Sequence, residues 1–381
     1  MDIDDVCVIT QPVSDASASH VEDLLAILGA ITTVSLLAVN VPQESSIRDE
    51  YEVIDIADTG TGSSIPVAAV RFLRNQLRLA RAVWQRDEEM VLFFGAIAYV
   101  IPVLAAKLAG KTVVLEPRGD VPLTLRLQWE ERVPTPLARL LAGTVWLLEQ
   151  IGYRLADTIV TYTPSMADEL GLEQFEPKLY PNGARFVDTE TFAPRIPYDQ
   201  REQVVGFLGR IDEEKGIREL ATCAKSLPSE TTFVFAGDGD LSQWLHQELS
   251  AERTAGSVEL TGWVEHADVP AVLNRFKLLV LPSEPTEGLP TAVLESLACG
   301  TPVLTTPVSG VPDVVQDGET GFLIDAVEAQ QLTETITSIL QRDDLEEISR
   351  TGRSLTESEY SFTAAVDRYT RILKDISTSA E

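Results

Sequence analysis

The sequence predicts an α/β protein built as two doubly wound, Rossmann-like domains. Three observations predict it. Strand-length apolar runs alternate with apolar helical patterns along both halves, the pattern of a parallel sheet covered on both faces. The length of 381 residues exceeds one ordinary core and suits two. Pro and Gly cluster between the halves, where one domain hands over to the next, and place the hinge between Gly183 and Tyr198.

In the first half, strands are expected at 6–10, 33–39, 53–56, 90–94, 112–116 and 158–163. Ligands of such sheets sit at the carboxyl ends of the strands, so each following loop is a candidate site. The first, 11–20, reads QPVSDASASH and is small and polar; its His20 is read as a cap or surface residue, with substrate contact as the alternative. The run Thr59-Gly60-Thr61-Gly62-Ser63-Ser64 lacks the Lys of a phosphate-binding P-loop and is read as a flexible connection. On the helix after it, Arg71, Arg74, Arg78 and Arg81 fall within about 80° of a helical wheel. Phe72, Leu73, Leu77, Val83 and Trp84 take much of the rest. This is either the solvated face of an ordinary amphipathic helix or a basic stripe that meets anionic lipid head groups at a membrane. Pro117-Arg118-Gly119-Asp120 follows the 112–116 strand. The segment 121–156 reads as helix interrupted at Pro134 and Pro136, its Trp129, Trp146, Leu147 and Leu148 read as core or groove wall.

The second half repeats the alternation, with strands at 204–208, 232–236, 258–261, 278–281, 302–305 and 321–324. Gly209-Arg210 follows the first of these and Lys215-Gly216 comes five residues later. Arg offers a two-pronged fork and Lys a point charge, the types that meet a phosphate. Ala236-Gly237-Asp238-Gly239-Asp240 holds an Asp-x-Asp, which in other sites bridges a metal and a diphosphate; here it is read as a tight turn after a strand. Gly262-Trp263-Val264 ends a further strand, and Trp263 is read as pocket wall or core.

The organising stretch is 278–306, LLVLPSEPTEGLPTAVLESLACGTPVLTT, read as strand, loop, helix, turn, strand. Pro290 suits the first helical position, where its missing N–H is harmless. Gly300 suits the helix end, and Thr301-Pro302 forbids continuation. Within the expected helix, 291–299, Glu295 is the only charge among apolar neighbours, and a carboxylate there is costly unless something polar meets it. Glu287 lies eight residues earlier. Two carboxylates beside a helix N-terminus, whose amides favour an anion, suit a polyhydroxylated, phosphorylated ligand.

Glu287, seven residues, then Glu295, in the setting EGLPTAVLE followed by ACGTPV, resembles the signature of the retaining glycosyltransferases of family four, which have the GT-B fold. Tyr180-Pro181-Asn182-Gly183 with Phe192-Ala193-Pro194 resembles the family's linker, and GRIDEEKG its Gly-Arg…Lys pattern. The likeness is close from about Pro181 to Phe362 and looser before. It implies two domains, 1–185 and 198–361, facing across a cleft, with a terminal helix at 362–381 packed back on the first. It implies a nucleoside-diphosphate sugar held mainly by the second domain and an acceptor, a glycan or a lipid-linked group, mainly by the first. Arg210 and Lys215 would neutralise the leaving diphosphate, with Gly209 and the backbone near Gly288, Leu289 and Pro290. Glu295 would take the ribose hydroxyls, Glu287 the transferred sugar, and Trp263 the base. Arg118, Asp120 and Ser14 would lie on the acceptor side. Relatives often carry a His-Gly pair where this chain has Pro-Arg-Gly, and a Gly-rich first loop that it lacks. No metal and no cofactor is required by this scheme. A sugar-phosphate phosphorylase, an epimerase and a non-catalytic binding subunit are the rival readings.

Composition bounds the partners. Asp and Glu number 59 against 30 Lys and Arg, a net charge of −29. Nucleic acid, which needs a basic face, is excluded as an expected partner. So acidic a surface suits solubility in strong salt. Cys7, Cys223 and Cys299 are odd in number and unclustered, which suggests neither a disulfide framework nor a zinc site and fits a reducing cytoplasm. The acidic start MDIDD carries no expected export signal. The uncharged stretches 24–41 and 90–106 are broken by Gly, Thr or Pro and read as helix–strand and strand–helix pairs rather than membrane spans.

Overall fold

The computed structural model describes residues 3–11, 15–38, 41, 45–56, 65–130, 132–183, 185–283, 289–325 and 327–380. The chain forms two compact units, one of residues 1–185 with 365–381, the other of residues 186–364.

Unit 1 is built on a seven-stranded parallel sheet. Its strands are β1 (Val6–Thr10), β2 (Val34–Ala38), β3 (Glu52–Asp55), β4 (Met90–Phe94), β5 (Thr112–Glu116), β6 (Thr158–Val160) and β7 (Leu179–Tyr180), in the order β3-β2-β1-β4-β5-β6-β7. Every residue of β1, β2 and β4 is buried, as expected of strands covered on both faces. The order reverses between β1 and β4, which opens a crevice at their carboxyl ends. β7 was not foreseen; two residues carry no periodicity. The helix Asp15–Gly29 begins inside the segment expected to be loop, so His20 is helical. Residues 59–64, expected as a flexible connection, lie outside the described residues.

Unit 2 carries a six-stranded parallel sheet of β8 (Val204–Leu208), β9 (Thr232–Ala236), β10 (Val258–Gly262), β11 (Leu278–Leu281), β12 (Val303–Thr305) and β13 (Phe322–Leu323), ordered β10-β9-β8-β11-β12-β13. The reversal here falls between β8 and β11, which pair with Leu278 opposite Val205 and Leu279 opposite Gly206. The helix after β11 runs Thr291–Ala298. Pro290 stands just before it as the cap rather than at its first position, and Cys299 falls just after it. The end is a Schellman turn: Thr301 N–H donates to Ser296 O at 2.8 Å and Gly300 N–H to Leu297 O at 2.9 Å, with Gly300 at φ +67°.

The segment 121–156 forms two helices, Val121–Glu130 and Thr135–Leu155. Trp146 and Leu147, expected in the core or a groove wall, are each 54% exposed. The Arg-bearing helix Ile65–Trp84 also departs from expectation. Leu73, Leu77 and Trp84 do not form its buried side; they lie exposed beside Arg74, Arg78 and Arg81, while Asn75 and Gln76 are buried. The Gln76 amide oxygen accepts from the Ile101 N–H at 3.0 Å, which makes burial of that polar group affordable. No described helix is long and apolar enough to cross a membrane.

Candidate active site

The loops that follow β8, β9, β10 and β11 share one edge of the unit 2 sheet, and backbone bonds stitch three of them together. Gly209 N–H donates to Ala236 O and Ile211 N–H to Asp238 O, both at 3.0 Å; Gly237 N–H donates to Gly262 O at 3.0 Å. The packing is close enough to demand glycine. A Cβ on Gly237, at φ +140°, would stand 1.9 Å from the Gly209 carbonyl oxygen. The Ala-Gly-Asp-Gly turn is therefore the buttress of the Gly209-Arg210 turn.

That role accounts for the Asp-x-Asp. Asp238 Oδ1 accepts from the Gly239 N–H at 2.8 Å, and the neighbouring Ser242 hydroxyl together with that bond holds its carboxyl below the usual range. Asp240 offers its N–H to Asp212 Oδ1 at 3.0 Å. The Asp238 carboxyl is spent on turn geometry, Asp240 joins the turn through its backbone N–H, and the described residues contain no cluster of three metal-ligating side chains.

Arg210 leaves the end of β8 with its side chain about half exposed and paired to Asp212 and Glu214. Lys215 is buried, 8% exposed, in a short 3₁₀ turn over Glu213–Lys215. Its neighbour Gly216 packs against the residue that follows β11: a Cβ there would lie 2.9 Å from the Pro282 carbonyl oxygen. The two cations thus belong to the loop of β8, and that loop touches the loop of β11, on either side of the switch point.

Glu295 is 6% exposed on the helix after β11. The polar partner that its apolar setting requires is His266, whose Nε2 stands 3.0 Å from Glu295 Oε1. The His266 ring rests 5.4 Å from the ring of buried Phe192. Reading the sequence missed His266; the only signal was the demand of Glu295 for a partner. Leu289 is buried, so this predicted donor contact has only its backbone to offer. Trp263 is 70% exposed and no core residue; its indole N–H donates to Glu265 at 3.0 Å. Glu287 and Gly288 lie outside the described residues.

On unit 1, Asp120 caps the next helix, its Oδ1 accepting from Leu123 N–H at 2.8 Å. Arg118 is partly buried, its guanidinium 5.2 Å from the centre of the Phe94 ring. His20 is neither a cap nor a surface group: its Nδ1 meets Arg185 Nη1 at 2.5 Å. Ser14 lies outside the described residues.

Two doubly wound parallel sheets, with a glycine-cradled cationic loop at the switch point of the second, define a protein of the GT-B class. Residues 188–354 match the family model described as "Glycosyl transferases group 1". The chain is 27% identical over 324 residues to the alpha-D-kanosaminyltransferase of Streptomyces kanamyceticus, covering 80% of this chain and 81% of the relative. It is 39% identical over 142 residues to a putative teichuronic acid biosynthesis glycosyltransferase of Bacillus subtilis, covering 37% and 33%. Among solved structures, HepE of Anabaena in complex with UDP superposes at a TM-score of 0.74 with 15% identity, covering 97% of this chain and 100% of that one. Sucrose-phosphate synthase of Thermosynechococcus elongatus gives 0.75 and 15%, covering 99% and 100%.

Proposed function

We propose that this glycosyltransferase moves a sugar from a nucleoside-diphosphate sugar, bound by unit 2, to an acceptor with retention of anomeric configuration. The observation that carries the reading is the meeting of the β8 and β11 loops, which brings the Lys215-Gly216 turn against Pro282 at the root of the Glu287–Glu295 segment. Breaking a sugar–phosphate bond leaves growing negative charge on the departing diphosphate, which fixed cations stabilise. Arg210 exchanges Asp212 and Glu214 for phosphate oxygens, and Lys215 supplies a sheltered point charge. Glu295, oriented by His266, takes the ribose hydroxyls, and Glu287 the transferred sugar. Gly209 and the backbone near Gly288, Leu289 and Pro290 complete the diphosphate cradle, and exposed Trp263 stacks on the base. Among the described residues no side chain has the setting of a dedicated nucleophile, so the reaction runs on positioning and charge stabilisation, without a metal or a cofactor. The complexes of HepE with UDP and UDP-glucose support a uridine nucleotide as the first to try.

The test is a thermal-shift screen of nucleotides and nucleotide sugars on the whole chain, because a ligand of the folded state raises its melting point. Arg210→Ala and Lys215→Ala should each lower turnover by roughly 10²–10³. Wild-type turnover in both variants would remove the assignment.

We infer further that the acceptor is a lipid-linked or surface-bound glycan met at a membrane. Val67, Val70, Leu73, Leu77 and Trp84 are exposed on the same helix as Arg74, Arg78 and Arg81. The helix Val100–Leu108 packs against it, and Thr135–Leu155 against that. Both carry more exposed apolar groups, Leu104, Leu108, Leu140 and Trp146 among them. Apolar and cationic groups mixed on one face suit the headgroup boundary of an anionic bilayer.

A further inference from the structure

The loop after β12 continues the carboxyl edge of the unit 2 sheet beyond β11, and the donor chemistry described so far gives it no task. Hydroxyls anchor it to the β11 side: Thr305 Oγ1 donates to Leu281 O at 2.9 Å and Thr306 Oγ1 to Ser283 O at 2.6 Å. Val308 N–H then closes back on Thr306 O at 2.9 Å, and Val311 N–H on Val308 O at 3.0 Å. Ser309 stands between those two turns.

Ser309 carries two features that packing does not explain. Its φ of +47° makes it the only non-glycine residue among the described ones with a positive φ, in a region where a Cβ is crowded and glycine is the usual occupant. A glycine is next in the chain, yet Gly310 has φ −77° and does not take the strained place. The second feature is the side chain. Ser309 is 7% exposed, and its hydroxyl makes no hydrogen bond among the described residues. Its Oγ is nevertheless not sealed from solvent, so a ligand atom can reach it. A buried hydroxyl without a partner is costly, and backbone strain that survives in a folded chain collects at ligand contacts.

The strand order says which part of a ligand this residue meets. Along the edge β10-β9-β8-β11-β12, Trp263 follows β10, Arg210 and Lys215 follow β8, and Ser309 follows β12. With the base on Trp263 and the diphosphate on the β8 cations, the group beyond the diphosphate extends over β11 towards β12. That group is the sugar to be transferred. We propose that the Ser309 hydroxyl hydrogen-bonds a hydroxyl of this sugar and takes part in the choice of donor. The inference rests on the function proposed above. A serine hydroxyl both donates and accepts, and a polar group placed for a substrate hydroxyl discriminates against a sugar that lacks it.

Calorimetric titration of the whole chain with UDP-glucose, and separately with UDP, tests this; another nucleotide sugar and its diphosphate replace them if the thermal-shift screen selects that pair. Ser309→Ala and Ser309→Gly both remove the hydroxyl, and glycine also frees the backbone, so the second variant guards against strain in the first. Both should bind UDP as wild type does and UDP-glucose about three- to ten-fold more weakly, the scale of one hydrogen bond. A residue that only shaped the loop would not lower one affinity and spare the other. Unchanged binding of UDP-glucose by both variants would overturn the proposal. Equal losses for UDP and UDP-glucose would move Ser309 to the diphosphate, and a loss in one variant alone would trace the effect to backbone shape; either result overturns it as well. Arg210-dependent binding of UDP upholds the glycosyl-transfer reading whichever way Ser309 falls, whereas failure of every nucleotide to bind wild type removes both.

Discussion

The Tyr369 hydroxyl donates a hydrogen bond to Glu116 Oε2, joining the last helix of the chain to the end of β5, with both side chains sealed from solvent. The carboxyl keeps this bond in its neutral form, since burial raises it to about 8.

Stability should therefore depend on pH through Glu116. An unfolded Glu titrates near 4.5 and the folded one near 8. Between those values the native state holds more protons than the unfolded state, so the contribution falls as pH rises and levels off above about 8. Glu116→Gln keeps an acceptor for Tyr369 and removes the titration. Its unfolding free energy should match wild type near pH 5 and exceed it increasingly towards pH 8, by a few kcal/mol at most, at about 1.4 kcal/mol per pKa unit. A constant difference across that range would refute the assignment. Glu149, also buried and raised to about 8, needs its own Gln variant as a control.

Gly237→Ala should damage unit 2 beyond the loss of a flexible residue. Its Cβ would collide with the Gly209 carbonyl, and the backbone at φ +140° resists any side chain. A loss of at least about 2 kcal/mol is expected from denaturant unfolding. A variant as stable as wild type would show that the turn is not the buttress described.

In the proposed reaction His266, 3.0 Å from Glu295, has the part of a positioning residue. His266→Ala should raise the KM for donor about ten-fold, the scale of one hydrogen bond to a charged group, with kcat largely kept. His266→Gln should restore part of it. A fall in kcat at constant KM would instead place His266 in the chemical step.

Chelation should leave turnover unchanged. The bond that the Asp238 carboxyl accepts from the Gly239 N–H commits it to the turn, and an acid pair that bridges a metal needs both of its carboxylates free. Restoration of a lost rate by manganese after chelation would return that pair to metal binding.

Membrane attachment is checked by sedimentation with anionic and neutral vesicles. Wild type should pellet with the former, and a variant with Arg71, Arg74, Arg78 and Arg81 all changed to Gln should not. Equal sedimentation of the two proteins would exclude a role for the stripe.

The parts legible in the sequence were those fixed by near neighbours. β8, β9 and β11 fall where apolar runs end in Gly or Pro, and Gly300 marks a helix end because the need for φ > 0 is local. Where contacts span distance, legibility failed. His266 reaches Glu295 across 29 positions. On Ile65–Trp84 the Arg side is exposed as read, but Gln76 is buried because it finds its partner on another helix, a fact no hydrophobic period contains. Trp146 and Leu147 were read as core or groove wall, and at 54% exposure each is not core.

The crossing of the chain between units has an evolutionary consequence. Residues 186–364 form one uninterrupted stretch, while unit 1 is assembled from both flanks. A genetic exchange with two breakpoints can therefore transplant unit 2 as a cassette. Any transplant of the other half must bring both arms together, or Glu116 loses the hydroxyl donor that Tyr369 supplies.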